Sequence, residues 1–421
     1  MRGKILNRLS GISPRSRVPI YLGLSSCLTL VAACNFSGTD LKTSSPNSVA
    51  ISVSPKPLPV NLPLPAPAPA PAPSACTPSY GNFSSAKNIL PPACWTPYAS
   101  ASPFNTVIPR GAKQLANSAN IVHRIFTDAN TFGSGFADVQ FSVRDQINDY
   151  GHMTYFSDLT DPLYTIHCTE PWGKCAIEGM QVHIPVKAKP AGGSDHHLAL
   201  IDQTGSTEFD MWGAEIYVDA NGNESASIRN PNGGVINCRW GGKLDINGSG
   251  LHGDATAAGF GLIAGQIRPE ELEAGVINHG FFTGMRCGSN VAVFPAEKHD
   301  VLCADQTNAP PMGARFFLDY TDAEINALNV PESNKVVLRA MAKYGIYFGD
   351  TGNGANVMGV GILDSQSYVN MGFPDPMVAY AQQYRIPYAN DRYRWNLNDG
   401  VDWYNHLQIA DPCYAQGTCG P

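Results

Sequence analysis

The sequence predicts a mainly β globular domain, of β-sandwich or jelly-roll type with a few peripheral helices, and three observations carry that expectation. Alternating or short apolar runs at 181–186, 196–201, 207–212, 214–218, 291–294, 314–318 and 357–363 have the length and period of strands, with Gly, Asn, Asp and Pro between them. Helical signals are few. Arg268, Pro269, Glu270 and Glu271 place a proline and two acids in a first turn, Val336, Val337, Ala340 and Met341 give helical spacing within 332–344, and 375–383 is a third candidate. Finally, residues 81–421 contain no second linker, and all-β units often grow to such a length as one domain.

In chain order, Arg2, Lys4, Arg8, Arg15 and Arg17 precede an apolar run over 19–33. That run is interrupted by Gly23, Ser25 and Ser26 and falls short of the roughly 20 apolar residues of a membrane span, so it reads as an export signal. Val31, Ala32 and Ala33 before Cys34 resemble the lipobox of bacterial lipoproteins. The resemblance implies cleavage after residue 33, lipid on the Cys34 sulfur, and a cell-envelope location, periplasmic or on an outer membrane, which Asn35 permits. Residues 34–80 are then the lipidated cysteine and a Ser-, Thr- and Pro-rich stalk ending in LPLPAPAPAPAPS, a composition that favours extended polyproline II.

The formal net charge is -7, charged residues make up 15% of the chain, and no basic block occurs, which excludes nucleic acid as a partner. Of the 11 cysteines, Cys27 lies in the signal and Cys34 carries lipid, leaving an odd number for an oxidising compartment. Cys168 with Cys175 and Cys413 with Cys419 would close short loops, and Cys76 with Cys94 would tie the stalk to the domain. Cys238, Cys287 and Cys303 remain, so one thiol stays free or pairs outside the chain. Close Cys-x-x-Cys or Cys/His pairs are absent, so neither a metal nor another cofactor is expected. The run Asp219-Ala220-Asn221-Gly222-Asn223-Glu224 has oxygen ligands in an order that would suit calcium, although a hairpin turn explains it as well.

The stretch HHLALIDQTGSTEFDMW, residues 196–212, is the richest in chemistry. With a loop at 203–206, an antiparallel hairpin pairs Asp202 with Thr207, Ile201 with Glu208, Ala199 with Asp210 and His197 with Trp212. Leu198, Leu200, Phe209 and Met211 then share a core face, which also takes His196. His197, Ala199, Ile201, Glu208, Asp210 and Trp212 share the other. Two acids, an imidazole and an indole on one face suit a sugar-cleaving groove, in which one acid protonates the leaving oxygen, the other attacks or activates water, and an aromatic plane stacks on a pyranose. Asp210 is the expected central carboxylate, His197 its proton partner, Glu208 the second acid and Trp212 the sugar platform. An exposed hairpin face with polar residues is the plain structural alternative.

His279, His299, Arg315 and Asp350 are further expected substrate contacts, His279 and His299 because they sit near loop or strand ends, where sites gather, and Asp254 and Tyr344 are further candidates. Glu208-Phe209-Asp210-Met211-Trp212 is similar to the Glu-x-Asp-x-Glu strand of concanavalin-like sandwich glycosidases, with Trp212 in the slot of the second glutamate, so that family's acid/base residue has no counterpart here. More broadly, PAGGSDHHLALID (190–202), AAGFGLIAGQIRPEE (257–271), Ile277-Asn278-His279, Phe294-Pro295-Ala296, Pro310-Pro311-Met312-Gly313 and Lys343-Tyr344-Gly345 resemble, in that order, a family of secreted bacterial proteins without a settled activity. That resemblance implies one shared domain and no particular reaction. The expected function is hydrolysis of cell-envelope or environmental polysaccharide. A non-enzymatic glycan-binding or adhesion lipoprotein and a polysaccharide lyase using a histidine and Tyr344 are the alternatives.

Overall fold

The computed structural model describes residues 77–83, 90–132, 138–142, 151–215, 217–218, 224–225, 233–352, 365–389 and 392–419, all within one compact unit, Pro65–Pro421. The export signal, Cys34, Cys76, the stalk up to residue 76, the 219–223 part of the calcium candidate and the strand expected at 357–363 lie outside them. The fold is mainly β with short helices. No helix among the described residues is long and apolar enough to cross a membrane.

Eleven strands position the site. In chain order they are β1 (Met153–Ser157), β2 (Leu163–Cys168), β3 (Gln181–His183), β4 (Leu198–Asp202), β5 (Thr207–Trp212), β6 (Gly234–Cys238), β7 (Trp240–Asp245), β8 (Phe281–Met285), β9 (Arg315–Leu318), β10 (Ile346–Thr351) and β11 (Leu407–Ala410). They form a central sheet β7-β5-β4-β1, a second sheet β8-β10-β9-β11 and a third, β6-β2-β3. Each mixes one parallel pair with antiparallel ones: β1 runs parallel to β4, β8 to β10 and β2 to β6.

The β4–β5 hairpin has the register that its alternation dictates, with Asp202 opposite Thr207, Ile201 opposite Glu208 and Ala199 opposite Asp210. Leu198, Leu200, Phe209 and Met211 point into a core shared with Tyr164 and Ile166 of β2, Val182 of β3 and Ile236 of β6. The central sheet's other face is also covered. Ile201 and Leu244 enter the main core with Phe281, Phe282, Phe316, Ile346 and Phe348 of the second sheet. Leu200 is fully buried, so Leu200→Ala should cost about 2 to 5 kcal/mol through an unfilled cavity, measurable as a lower midpoint in urea at unchanged slope.

Helices form at all three expected places. α1 (Pro269–Ala274) has Pro269 at its first turn and Gly275 at its C-cap with φ 69°, and α2 (Glu332–Lys343) buries Val336, Val337, Ala340 and Met341. α3 (Met377–Tyr384) begins two residues later than expected. Residues 291–294 are not a strand, because the chain turns there, with Ala296 N–H bonding to Val293 O. Among the described residues of 214–218, Tyr217–Val218 forms a strand and 214–215 do not.

Cys168–Cys175, Cys287–Cys303 and Cys413–Cys419 are disulfides. Cys94 is also disulfide-bonded, and Cys238 is the free thiol among the described residues.

Candidate functional site

Glu208 and Asp210 project from β5 toward the arm formed by residues 250–263, and both are 0% exposed. The polar face expected to be open is therefore an interior one. Glu208 accepts the Tyr98 hydroxyl at 2.6 Å and the Ile263 N–H at 3.1 Å, while Asp210 Oδ2 accepts the Leu262 N–H at 2.9 Å. The arm can approach this closely only because it carries glycines. A Cβ on Gly261 would sit 2.2 Å from the Tyr98 oxygen and 3.1 Å from Glu208, and one on Gly253 would sit 2.9 Å from Asp210 Oδ2. Burial raises both carboxyls, and the neighbouring Glu208 pushes Asp210 further, well above the carboxylate range. Two adjacent acids out of water do not readily ionise together, so the pair favours sharing a proton. The pair fastens the arm to the sheet.

His197 lies just before β4 and does not face Trp212 in the ladder, which ends at Leu198 and Met211. Its Nε2–H donates to Ala255 O at 3.2 Å, so the expected partnership with Asp210 is replaced by a bond to the arm. Its ring meets that of His152 edge-on, with centroids 5.0 Å apart, and His152 Nδ1–H donates to Leu262 O at 2.7 Å. Burial lowers His152 to about 3 and His197 to about 4, so both imidazoles are neutral at physiological pH. His196, expected in the core, is instead half-buried in a left-handed turn with φ 43°.

The arm also reaches the end of β10. Asp350, near the end of β10, accepts the N–H of Thr351 at 2.7 Å. Burial raises its carboxyl to about 7 against bonds from the Thr351 and Ala257 amides, and the charges of Asp195 and Asp300 push it the same way. Asp300, exposed beside His299, accepts the Thr351 hydroxyl at 2.7 Å. Asp195 in turn accepts Trp212 Nε1–H at 3.2 Å. Trp212 carries the Trp172 ring stacked at 5.5 Å and the Arg239 guanidinium at 4.0 Å, and it pairs across the ladder with Trp240. Trp172 is 61% exposed. The open indole is thus Trp172, with the expected platform Trp212 beneath it.

The arm's outer side is latched as well. His252 pairs with Glu297 at 2.5 Å and Asp254 with Lys298 at 3.4 Å, both from left-handed backbone at φ 73° and φ 50°. Such strain in non-glycine residues is held only where the surroundings over-determine it.

Two expected substrate contacts are interior. Arg315 is buried, with Nε–H donating to Tyr344 O at 2.8 Å and a further N–H donating to Thr106 O, and its guanidinium lies over the Tyr347 ring. His279 is buried between Glu271 Oε2 at 3.1 Å and Gly280 O at 2.9 Å. Both hold the fold together, and neither reaches solvent. Tyr344 is also buried, under Lys343. Among the described residues no group of three or more His, Cys, Asp or Glu is placed to hold a metal ion. Asp195, Trp172 and His152 were missed from sequence. The available signals were an acid directly before His196-His197 and a tryptophan inside a loop closed by two cysteines.

Comparison of the chain with protein-family models, with curated proteins and with solved structures found no match in any of the three.

Proposed function

We propose that the protein is a lipid-anchored glycoside hydrolase of the cell envelope, acting on polysaccharide at the face formed by Trp172, Trp212, Asp195 and Asp350. Two observations carry this reading: the exposed Trp172 stacks on Trp212, which donates to Asp195, and burial, with a smaller push from the Asp195 charge, raises Asp350. An open indole suits the apolar face of a pyranose. A carboxyl with a pKa of about 7 is protonated often enough near neutrality to protonate a leaving oxygen. Asp195 is the second carboxylate, acting on water or on the sugar from the platform side. In this scheme Glu208 and Asp210 act as positioning residues. They hold the arm whose Ala257 amide bonds to Asp350 and whose Ala255 carbonyl fixes His197.

The closed cover over Glu208 and Asp210 favours a second reading, a glycan-binding lipoprotein without turnover, which needs the tryptophans but no raised acid. Incubating the purified chain with a panel of polysaccharides separates the two. New reducing ends support hydrolysis, unsaturated products indicate a lyase, and retention on a polysaccharide without products indicates a binder. For whichever polysaccharide is retained, Trp172→Ala should weaken affinity about tenfold, as expected for loss of one stacked aromatic. An unchanged Kd would remove the platform from the account.

A further inference from the structure

Cys238 ends β6 directly opposite Cys168, the last residue of β2, in the parallel ladder that joins them. Their sulfurs are 3.9 Å apart, although Cys168 is bonded to Cys175. Cys238 is 1% and Cys175 5% exposed, both in the core beneath the central sheet. Three sulfurs for one disulfide therefore meet, with Cys168 half-buried between two buried ones. The bond from Cys168 to Cys175 closes the loop that carries Trp172.

We propose that Cys238 exchanges with the Cys168–Cys175 disulfide, so that the chain has two disulfide isomers differing in how the Trp172 loop is held. The Cys238 thiol gives up its proton and the thiolate attacks Cys168 Sγ. A Cys168–Cys238 bond forms, the Cys168–Cys175 bond breaks, and Cys175 leaves as a thiolate that takes up a proton. One disulfide is exchanged for another, and no oxidant or reductant takes part. Cys175 Sγ already lies 3.7 Å from Gly241 O, an acceptor for the released thiol. In the second isomer β2 is tied to β6 at its own register partner. The loop then keeps its non-covalent ties, among them Thr169 N–H to Cys238 O at 2.9 Å, Glu170 N–H to Arg239 O at 3.1 Å, the Arg239–Glu170 ion pair and the Trp172–Trp212 stack. Trp172 loses the covalent tie on its C-terminal side.

The surroundings set the pace. Burial pushes the Cys238 thiol up to about 12, and the Glu178 charge acts in the same direction. Glu178 itself accepts the Cys168 N–H at 2.6 Å and faces His167 at 3.2 Å. The other charged groups around the strand end are Arg239 paired with Glu170, Glu215 bonded to Asn237, and Lys174 next to Cys175 in the chain. Since only the thiolate attacks, exchange should be slow at neutral pH and speed up about tenfold for each unit of pH increase until the thiol's pKa is reached.

The full chain, held without reductant at about pH 7, 8 and 9, is quenched in acid, alkylated and digested under acid for peptide mapping by mass spectrometry. The expected result is a time-dependent Cys168–Cys238 peptide together with labelled Cys175, appearing about tenfold faster per pH unit and in step with a change in tryptophan fluorescence. Cys238→Ser should abolish both, and Cys175→Ser should give a Cys168–Cys238 disulfide as the stable form. Label confined to Cys238 at every pH, or two free thiols at Cys168 and Cys238 in Cys175→Ser after air oxidation, would overturn the proposal. No carbohydrate enters these measurements, so they stand or fall separately from the hydrolase reading.

Discussion

Glu208→Ala is expected to lower stability by about 3 to 5 kcal/mol, the cost of breaking a buried, hydrogen-bonded acid site. The Tyr98 hydroxyl and the Ile263 N–H both lose their acceptor in a place water does not reach, and Asp210 loses its neighbouring acid. Asp210→Asn should behave very differently. An amide oxygen can still accept the Leu262 N–H, and the amide NH2 can donate to Glu208 in place of a shared proton. Urea unfolding of the two variants at neutral pH reads this contrast. Equal losses would mean that the pair does not share a proton.

Asp350→Asn is expected to reduce turnover by 100-fold or more, in the range of about 10²–10⁴ that a positioned general acid supplies. It should do so while stabilising the protein at alkaline pH. The folded pKa of about 7 lies above the unfolded value, so the protonated carboxyl favours the fold. That contribution is complete below about pH 4 and is lost as pH rises through about 7. Wild type and variant should therefore match near pH 4, and the variant should be more stable at pH 8 by about 2 kcal/mol, allowing for partial exposure of the side chain. Chemical denaturation at the two pH values checks the sign. A variant less stable at pH 8 would place the Asp350 charge in a favourable environment and remove it as the acid.

The hairpin register and the core face of Leu198, Leu200, Phe209 and Met211 were legible because period-2 alternation over β4 and β5 leaves one pairing that keeps those side chains together. The three helices announced themselves through a first-turn proline and through i, i+3, i+4 spacing. What the opposite face meets was not legible. Ala199, Ile201, Glu208 and Asp210 look like a solvent face from sequence, yet residues 250–263 cover it, and nothing local to the hairpin signals a glycine-bearing arm arriving from fifty residues away. Arg315 and His279 misled for a related reason. Charged and imidazole groups suggest a site until their partners are seen, here the Tyr344 and Thr106 carbonyls for Arg315, and the adjacent Gly280 carbonyl and the Glu271 carboxylate for His279. Asp350 was among the candidates from sequence, but its raised pKa comes first from burial and then from the charges of Asp195 and Asp300, none of which is local to it in the chain.

The most direct test of the account compares turnover in Asp350→Asn and Asp210→Asn on one polysaccharide cleaved by the wild type, with both variants confirmed as folded. The account predicts that Asp350→Asn binds the polysaccharide and releases no reducing ends, while Asp210→Asn keeps most of its activity, since its acid only fastens the arm. A folded Asp210→Asn protein without activity, beside an active Asp350→Asn protein, would contradict it and return the chemistry to the buried pair.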